Sequence, residues 1–79
     1  MTDYKNLNGN SNVAQFETGA DYINVKFKTT NKDGVNTYKY SYASAGQYNV
    51  EYMKLLVEQG FGLNSFIMLQ ARDLYESKS

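Results

Sequence analysis

Two alternating stretches meet across an Asp-Gly turn, and that pairing constrains the fold more than any other feature of the chain. From Tyr22 to Thr29, Ile23, Val25 and Phe27 fall on one side, and Asn24, Lys26 and Lys28 on the other. A period of two is the mark of a half-buried strand. Asn31-Lys32-Asp33-Gly34 supplies turn chemistry, since Asp-Gly favours the left-handed backbone that a hairpin needs. The return stretch, Val35 to Tyr42, sets Tyr38, Tyr40 and Tyr42 opposite Thr37, Lys39 and Ser41. Only a register that joins the tyrosines to Ile23, Val25 and Phe27 unites the two apolar faces. Ahead of this hairpin, Val13, Gln15 and Glu17 alternate with Ala14 and Phe16, predicting a short first strand that ends at Gly19.

Beyond Tyr42 the period changes. Ala43-Ser44-Ala45-Gly46 reads as a flexible joint, and Asn49 as the cap of a helix from Val50 to about Gln59. Val50, Met53, Leu56 and Val57 share one face of that helix; Glu51, Lys54 and Glu58 occupy the other at charge-pair spacings. Gly60 suits the left-handed position past the helix end. Asn64 is the expected cap of a second helix, with Leu63 and Met68 as its hydrophobic staple. Phe66, Ile67, Ala71, Leu74 and Tyr75 follow at helical spacing, and Glu76 to Ser79 should fray. The expected fold is therefore α+β: a three-stranded antiparallel meander packed on one face by two short C-terminal helices. Val25, Phe27, Tyr40, Met53, Leu56 and Ile67 are the expected core. Residues 1–12, with four Asn and only Tyr4 and Leu7 as sizeable apolar side chains beyond Met1, predict a flexible polar tail ahead of a single domain over 13–79.

A domain of 79 residues has a marginal core. With no Cys and no His, disulfides and thiolate or imidazole zinc sites are impossible. Eight tyrosines and four phenylalanines supply apolar area instead. They exceed what two helices over three strands can cover, so a homodimer or higher oligomer is expected. Tyr48, Tyr52, Phe61 and the first strand's free edge are the surfaces to form it. Eight basic residues balance eight acidic ones, which argues against a strongly basic nucleic-acid binder and adds no repulsion between copies. No apolar run is long enough for a membrane span, and the polar start lacks a secretory pattern, so the cytoplasm is the expected compartment.

Catalytic chemistry finds few candidates. Nucleophile activation without His or Cys would need a Ser–Lys or Tyr–Lys pair. Ser41 shares a strand face with Lys39, but a solvated lysine is a poor base. Asp73 and Glu76, one helical turn apart, read as a solvated surface. The single Gly-x-Gly, Gly60-Phe61-Gly62, joins two helices and has no third glycine, so it is no dinucleotide fingerprint. The chain is expected to be no enzyme and to carry no cofactor or metal. Binding surfaces are better represented. Tyr48 and Tyr52 lie on or near the polar side of the first helix, and Phe61 between its glycines is either a core plug or an exposed anchor. Lys26, Lys28 and Lys39, with Tyr22 nearby, form a basic sheet face that either holds a phosphate backbone or is simply solvated.

The stretch Val13–Tyr75 resembles the KTSC domain, a small domain found beside some lysyl-tRNA synthetases and in short phage and bacterial proteins. The resemblance lies in the apolar strand Ile23-Asn24-Val25-Lys26-Phe27, the Tyr-rich strand Tyr38-Lys39-Tyr40, the helix that follows, and the segment from Gly60 to Ile67. The chain departs from that pattern in having Ala43-Ser44-Ala45-Gly46 where the family often has a proline, so the resemblance does not set the angle at which the helix leaves the sheet. The family has no established catalytic residues to carry over. It implies a stand-alone interaction module, and the expectation is a phage accessory protein that blocks a host defence protein. The competing expectation is a binder that sequesters a nucleotide or nucleic acid, on the Lys/Tyr sheet face or in a pocket between subunits. Salt separates the two, because contacts to phosphate weaken steeply as salt rises.

Overall fold

The computed structural model describes every residue except Asn8 and Asn10. Its sheet has five antiparallel strands in sequence order, β1 (Thr2–Asp3), β2 (Val13–Thr18), β3 (Tyr22–Phe27), β4 (Thr37–Ser41) and β5 (Ser77–Lys78). The α+β class matches the sequence; the strand number does not. Two-residue edge strands carry too little pattern to read in a sequence, and here they are added to a three-stranded centre.

The central hairpin takes the expected register, with Ile23 opposite Tyr40 and Val25 opposite Tyr38. The side chain of Asn31 organises its turn, accepting from the backbone N–H of Asp33 and of Val35 at 2.9 Å each. Gly34, at φ 80°, occupies the left-handed position. In β2 the simple alternation fails. A bulge between Val13 and Gln15 sets Val13 opposite Phe27 and Phe16 opposite Val25, so both face inward. One extra residue on one strand shifts the pleat by a step, which rescues a face the period of two would have split. At the β2–β3 turn, Gly19 lies against the ring of Tyr22 so closely that a Cβ there would clash with it.

The stretch after β4 is helical rather than a loose joint. Helix α1 (Tyr42–Ala45) is capped by Ser41, whose Oγ accepts from the Ser44 N–H at 3.2 Å while Ser44 Oγ accepts from the Ser41 N–H at 3.1 Å. Tyr42 therefore belongs to a helix and not to the tyrosine ladder of β4. Helix α2 (Gln47–Gln59) begins after Gly46, earlier than expected. Asn49 does not cap it: its side chain donates back to the Ala45 carbonyl at 2.8 Å, a local bond that competes with capping. Gly60 closes α2 in the left-handed conformation, its N–H donating to the Leu56 carbonyl.

Helix α3 (Leu63–Phe66) follows Gly62 and runs into a π-helical turn, Ile67–Ala71. Asn64 makes no capping bond there. The Leu63–Met68 staple is absent, since Leu63 is buried in the core while Met68 is exposed. The wider π turn keeps a row spaced by four, Leu63, Ile67 and Ala71, facing the sheet. In place of fraying, the chain returns as β5, with the Glu76 N–H donating to the Lys39 carbonyl at 2.6 Å.

The core joins Val13, Ile23, Val25, Phe27 and Tyr40 of the sheet to Val50, Met53, Leu56 and Val57 of α2 and to the Leu63 row. All six expected core residues are buried. Each large side chain enclosed in this way contributes roughly 1.5–3 kcal/mol. The N-terminal residues belong to this structure rather than to a tail. Thr2 and Asp3 pair with Phe16 and Gln15, Tyr4 is 6% exposed, and the Leu7 N–H donates to the Gly60 carbonyl at 2.8 Å. A single aromatic with a slot between sheet and helices outweighs the polar composition around it. The parts of the expected tail at Asn8 and Asn10 lie outside the described residues. No helix is long and apolar enough to cross a membrane, among the described residues.

Candidate interaction surface

Helix α2 carries two apolar stripes. Val50, Met53, Leu56 and Val57 face the core. Tyr48, Tyr52 and Leu55, at spacings of four and three, look outward; Tyr48 is 76% exposed and Leu55 65%. The outer stripe is ordered by its own contacts. Tyr48 and Tyr52 stack with ring centroids 6.0 Å apart and planes 5° from parallel. Tyr52 meets Phe66 of α3 edge to face at 4.9 Å. Gln47, Glu51 and Leu55 join the two tyrosines around a shallow concavity of about 440 Å³.

One flank of the stripe is fastened to the body of the domain. The Tyr42 hydroxyl donates to Glu51 Oε2 at 2.6 Å, and Lys54 pairs with the same oxygen at 3.0 Å. Lys54 also donates to the Gly19 carbonyl at 2.7 Å, reaching the β2–β3 turn. The hydrogen bond from Tyr42, and then the bond and charge of Lys54, hold the Glu51 carboxyl below the ordinary range. The same bond raises the Tyr42 hydroxyl above its own.

The candidates read from the sequence fall into separate places. Tyr48 and Tyr52 come together on α2. Phe61, 42% exposed, stands past the C-terminal end of that helix and does not line the concavity. Tyr22, Lys26 and Lys39 share the outer sheet face, with the Lys39 ammonium 4.8 Å from the centre of the Tyr22 ring. That face carries both signs. Glu76 pairs with Lys39 at 3.5 Å, and Asp3 and Glu17 bond to Gln15 and Asn24 on neighbouring strands. The Ser41 hydroxyl, and after it the charge of Lys39, hold the Glu76 carboxyl low. Lys28 lies past the end of β3 and is exposed, its backbone N–H donating to the Asn12 carbonyl at 2.7 Å. The free edge expected on the first long strand is occupied by β1.

Sequence reading missed Leu55 and Phe66. The spacing of Tyr48, Tyr52 and Leu55 is itself a helical stripe and could have revealed the first. Phe66 needed the tertiary contact. Among the described residues, no group of three His, Cys, Asp or Glu side chains is placed to hold a metal ion. Compared with protein-family models, curated proteins and solved structures, the chain matches none.

Proposed function

We propose that this chain is a non-enzymatic interaction module that holds a protein partner against the outer stripe of α2, as a phage accessory protein blocking a host defence protein would. The observation that carries this reading is the exposure of Tyr48 and Leu55 on a helix whose opposite face is already committed to the core. One apolar face is enough to join a helix to its fold. The second is surplus to folding, and contiguous exposed apolar side chains mark interaction sites. Tyrosine suits the role because its rigid ring offers contact area at little entropic cost. The stack of Tyr48 on Tyr52, braced by Phe66, holds its shape in the free domain, which reduces the ordering cost of binding.

The test is phage plating on bacteria that carry individual defence systems, with and without expression of the chain. The wild type should restore plating against one system, and a Tyr48→Ser/Tyr52→Ser double variant with wild-type melting behaviour should not. Restored plating by that variant, or no restoration by the wild type across the panel, sinks the proposal. The basic-face reading gains less support, because Lys39 is already paired with Glu76 and carboxylates share its surface.

A further inference from the structure

At the other end of the helix layer, between the sheet and the π-helical turn, lies a pocket of about 520 Å³ that the outer stripe of α2 does not touch. Its volume falls within the ~300–1,000 Å³ usual for small-molecule sites. The wall is aromatic. Phe27 meets Tyr38 edge to face at 5.6 Å, Tyr38 meets Tyr75 at 5.1 Å, and Tyr40 forms part of the same lining.

Tyr40 separates this pocket from a mere gap in packing. Its residue is 1% exposed, yet its hydroxyl makes no hydrogen bond among the described residues. Three other tyrosines that face inward or flank the core are engaged. Tyr4 accepts from the Leu63 N–H, Tyr38 accepts from Asn31, and Tyr42 donates to Glu51. No buried side-chain oxygen or nitrogen is left without a partner among the described residues, so the Tyr40 hydroxyl opens onto the pocket rather than into the core. Burial raises its ionisation far above the ordinary tyrosine range, and the nearby charge of Asp73 adds to the effect. At neutral pH it is therefore an O–H donor facing a cavity.

The charged groups at the rim select the ligand. Arg72 and Asp73 both line the pocket, and Arg72 makes no ion pair among the described residues. An aromatic-walled site can hold a cationic ammonium ligand, but here the guanidinium of Arg72 stands beside the one carboxylate, Asp73, and opposes it. A planar heterocycle with an anionic group meets every feature instead. The rings offer stacking or edge contacts, Tyr40 O–H donates to a ring acceptor, Asp73 accepts from an exocyclic amine, and Arg72 takes the phosphate. We infer that this pocket, built from Phe27, Tyr38, Tyr40, Tyr75, Arg72 and Asp73, binds a nucleoside monophosphate.

Calorimetric titration of the whole chain with the four common nucleoside 5′-monophosphates, the matching nucleosides and inorganic phosphate tests the site. At least one monophosphate should bind saturably, and inorganic phosphate should not displace it. Arg72→Met should weaken the monophosphate about tenfold and leave the nucleoside unchanged, as expected for one lost charge-assisted contact. Tyr40→Phe keeps the ring in the core and should weaken monophosphate and nucleoside alike. Both variants should match the wild-type circular dichroism. No binding of any monophosphate up to millimolar concentration overturns the assignment. So does monophosphate binding that either substitution leaves unchanged, or an Arg72→Met loss equal for nucleoside and monophosphate.

Discussion

The Tyr42 hydroxyl donates to the Glu51 carboxylate at 2.6 Å, tying the short helix after β4 to α2. The bond sits beside the outer stripe and sets the position of that part of the helix. It also makes stability depend on pH in a defined direction. The Glu51 carboxyl lies below its ordinary value of 4.5 in the folded state, chiefly because of this bond. Its contribution is complete above that value and is lost as pH falls through the lower folded one. Tyr42→Phe should therefore melt below the wild type at pH 7, and the gap should close in acid. Glu76 is depressed in the same window but is shared by both proteins, so it drops out of the difference. A gap that persists unchanged to about pH 2 would show that Tyr42 acts by packing alone.

Alkaline behaviour reports on the core. Burial raises the Tyr40 hydroxyl well above its ordinary 10.0, and that of Tyr4 in the same direction. Between neutrality and about pH 10 these tyrosines leave stability level, and above it stability should decline, because the unfolded tyrosines ionise there while the buried ones keep their protons. Absorbance of tyrosinate followed together with circular dichroism should show Tyr40 ionising only as the fold is lost. All eight tyrosines titrating together near pH 10 with unchanged dichroism would contradict the burial of that ring.

Tyr4 is the sharpest check on the N-terminal segment. It is 6% exposed, and its hydroxyl accepts from the Leu63 N–H at 3.4 Å. Tyr4→Ala should cost about 3–5 kcal/mol, the usual cost of removing a large buried aromatic. Chemical denaturation measures it directly. A change within about 0.5 kcal/mol, typical of surface positions, would restore the picture of a tail that contributes nothing.

Phe27 closes the far end of the sheet, 7% exposed and edge to face with Tyr38. Phe27→Ala should lose about 3–5 kcal/mol. A small domain holds only ~5 kcal/mol in total, so the variant should be largely unfolded by circular dichroism at 25 °C. Retention of the wild-type melting temperature would mean that the inward face has been misassigned.

Self-association is expected wherever the outer stripe of α2 finds no other partner. Tyr48, Tyr52 and Leu55 remain exposed, and a two-fold pairing of α2 with its copy would cover them. Sedimentation at micromolar concentration should show a dimer or larger species in the wild type and a monomer in Tyr52→Glu. A wild-type monomer that stays folded on dilution refutes this association.

Much of the architecture was legible in local pattern. The period of two in Tyr22–Phe27 and Thr37–Ser41, the Asp-Gly turn and the Gly60 stop each act over a few residues, so their signals survive in the linear chain. The inward set Val25, Phe27, Tyr40, Met53, Leu56 and Ile67 followed from those periods, because burial of one face is what the alternation encodes. Tyr48 and Tyr52 could likewise be placed on the outer side of a helix from spacing alone.

What the sequence left undetermined depends on contacts between distant segments. The bulge at Ala14 matters only because β3 lies beside it, and the edge strands Thr2–Asp3 and Ser77–Lys78 exist only where β2 and β4 offer unpaired backbone. Tyr4 sits in a polar leader by composition, but the slot that receives it is built about sixty residues later, at Leu63. The same holds for the pocket beside Tyr40, whose aromatic wall comes from β3, β4 and the segment after the π turn. Alternation and capping are local free energies, readable one segment at a time. Edge pairing, a docked aromatic and a cavity arise only when the closed chain brings their partners together.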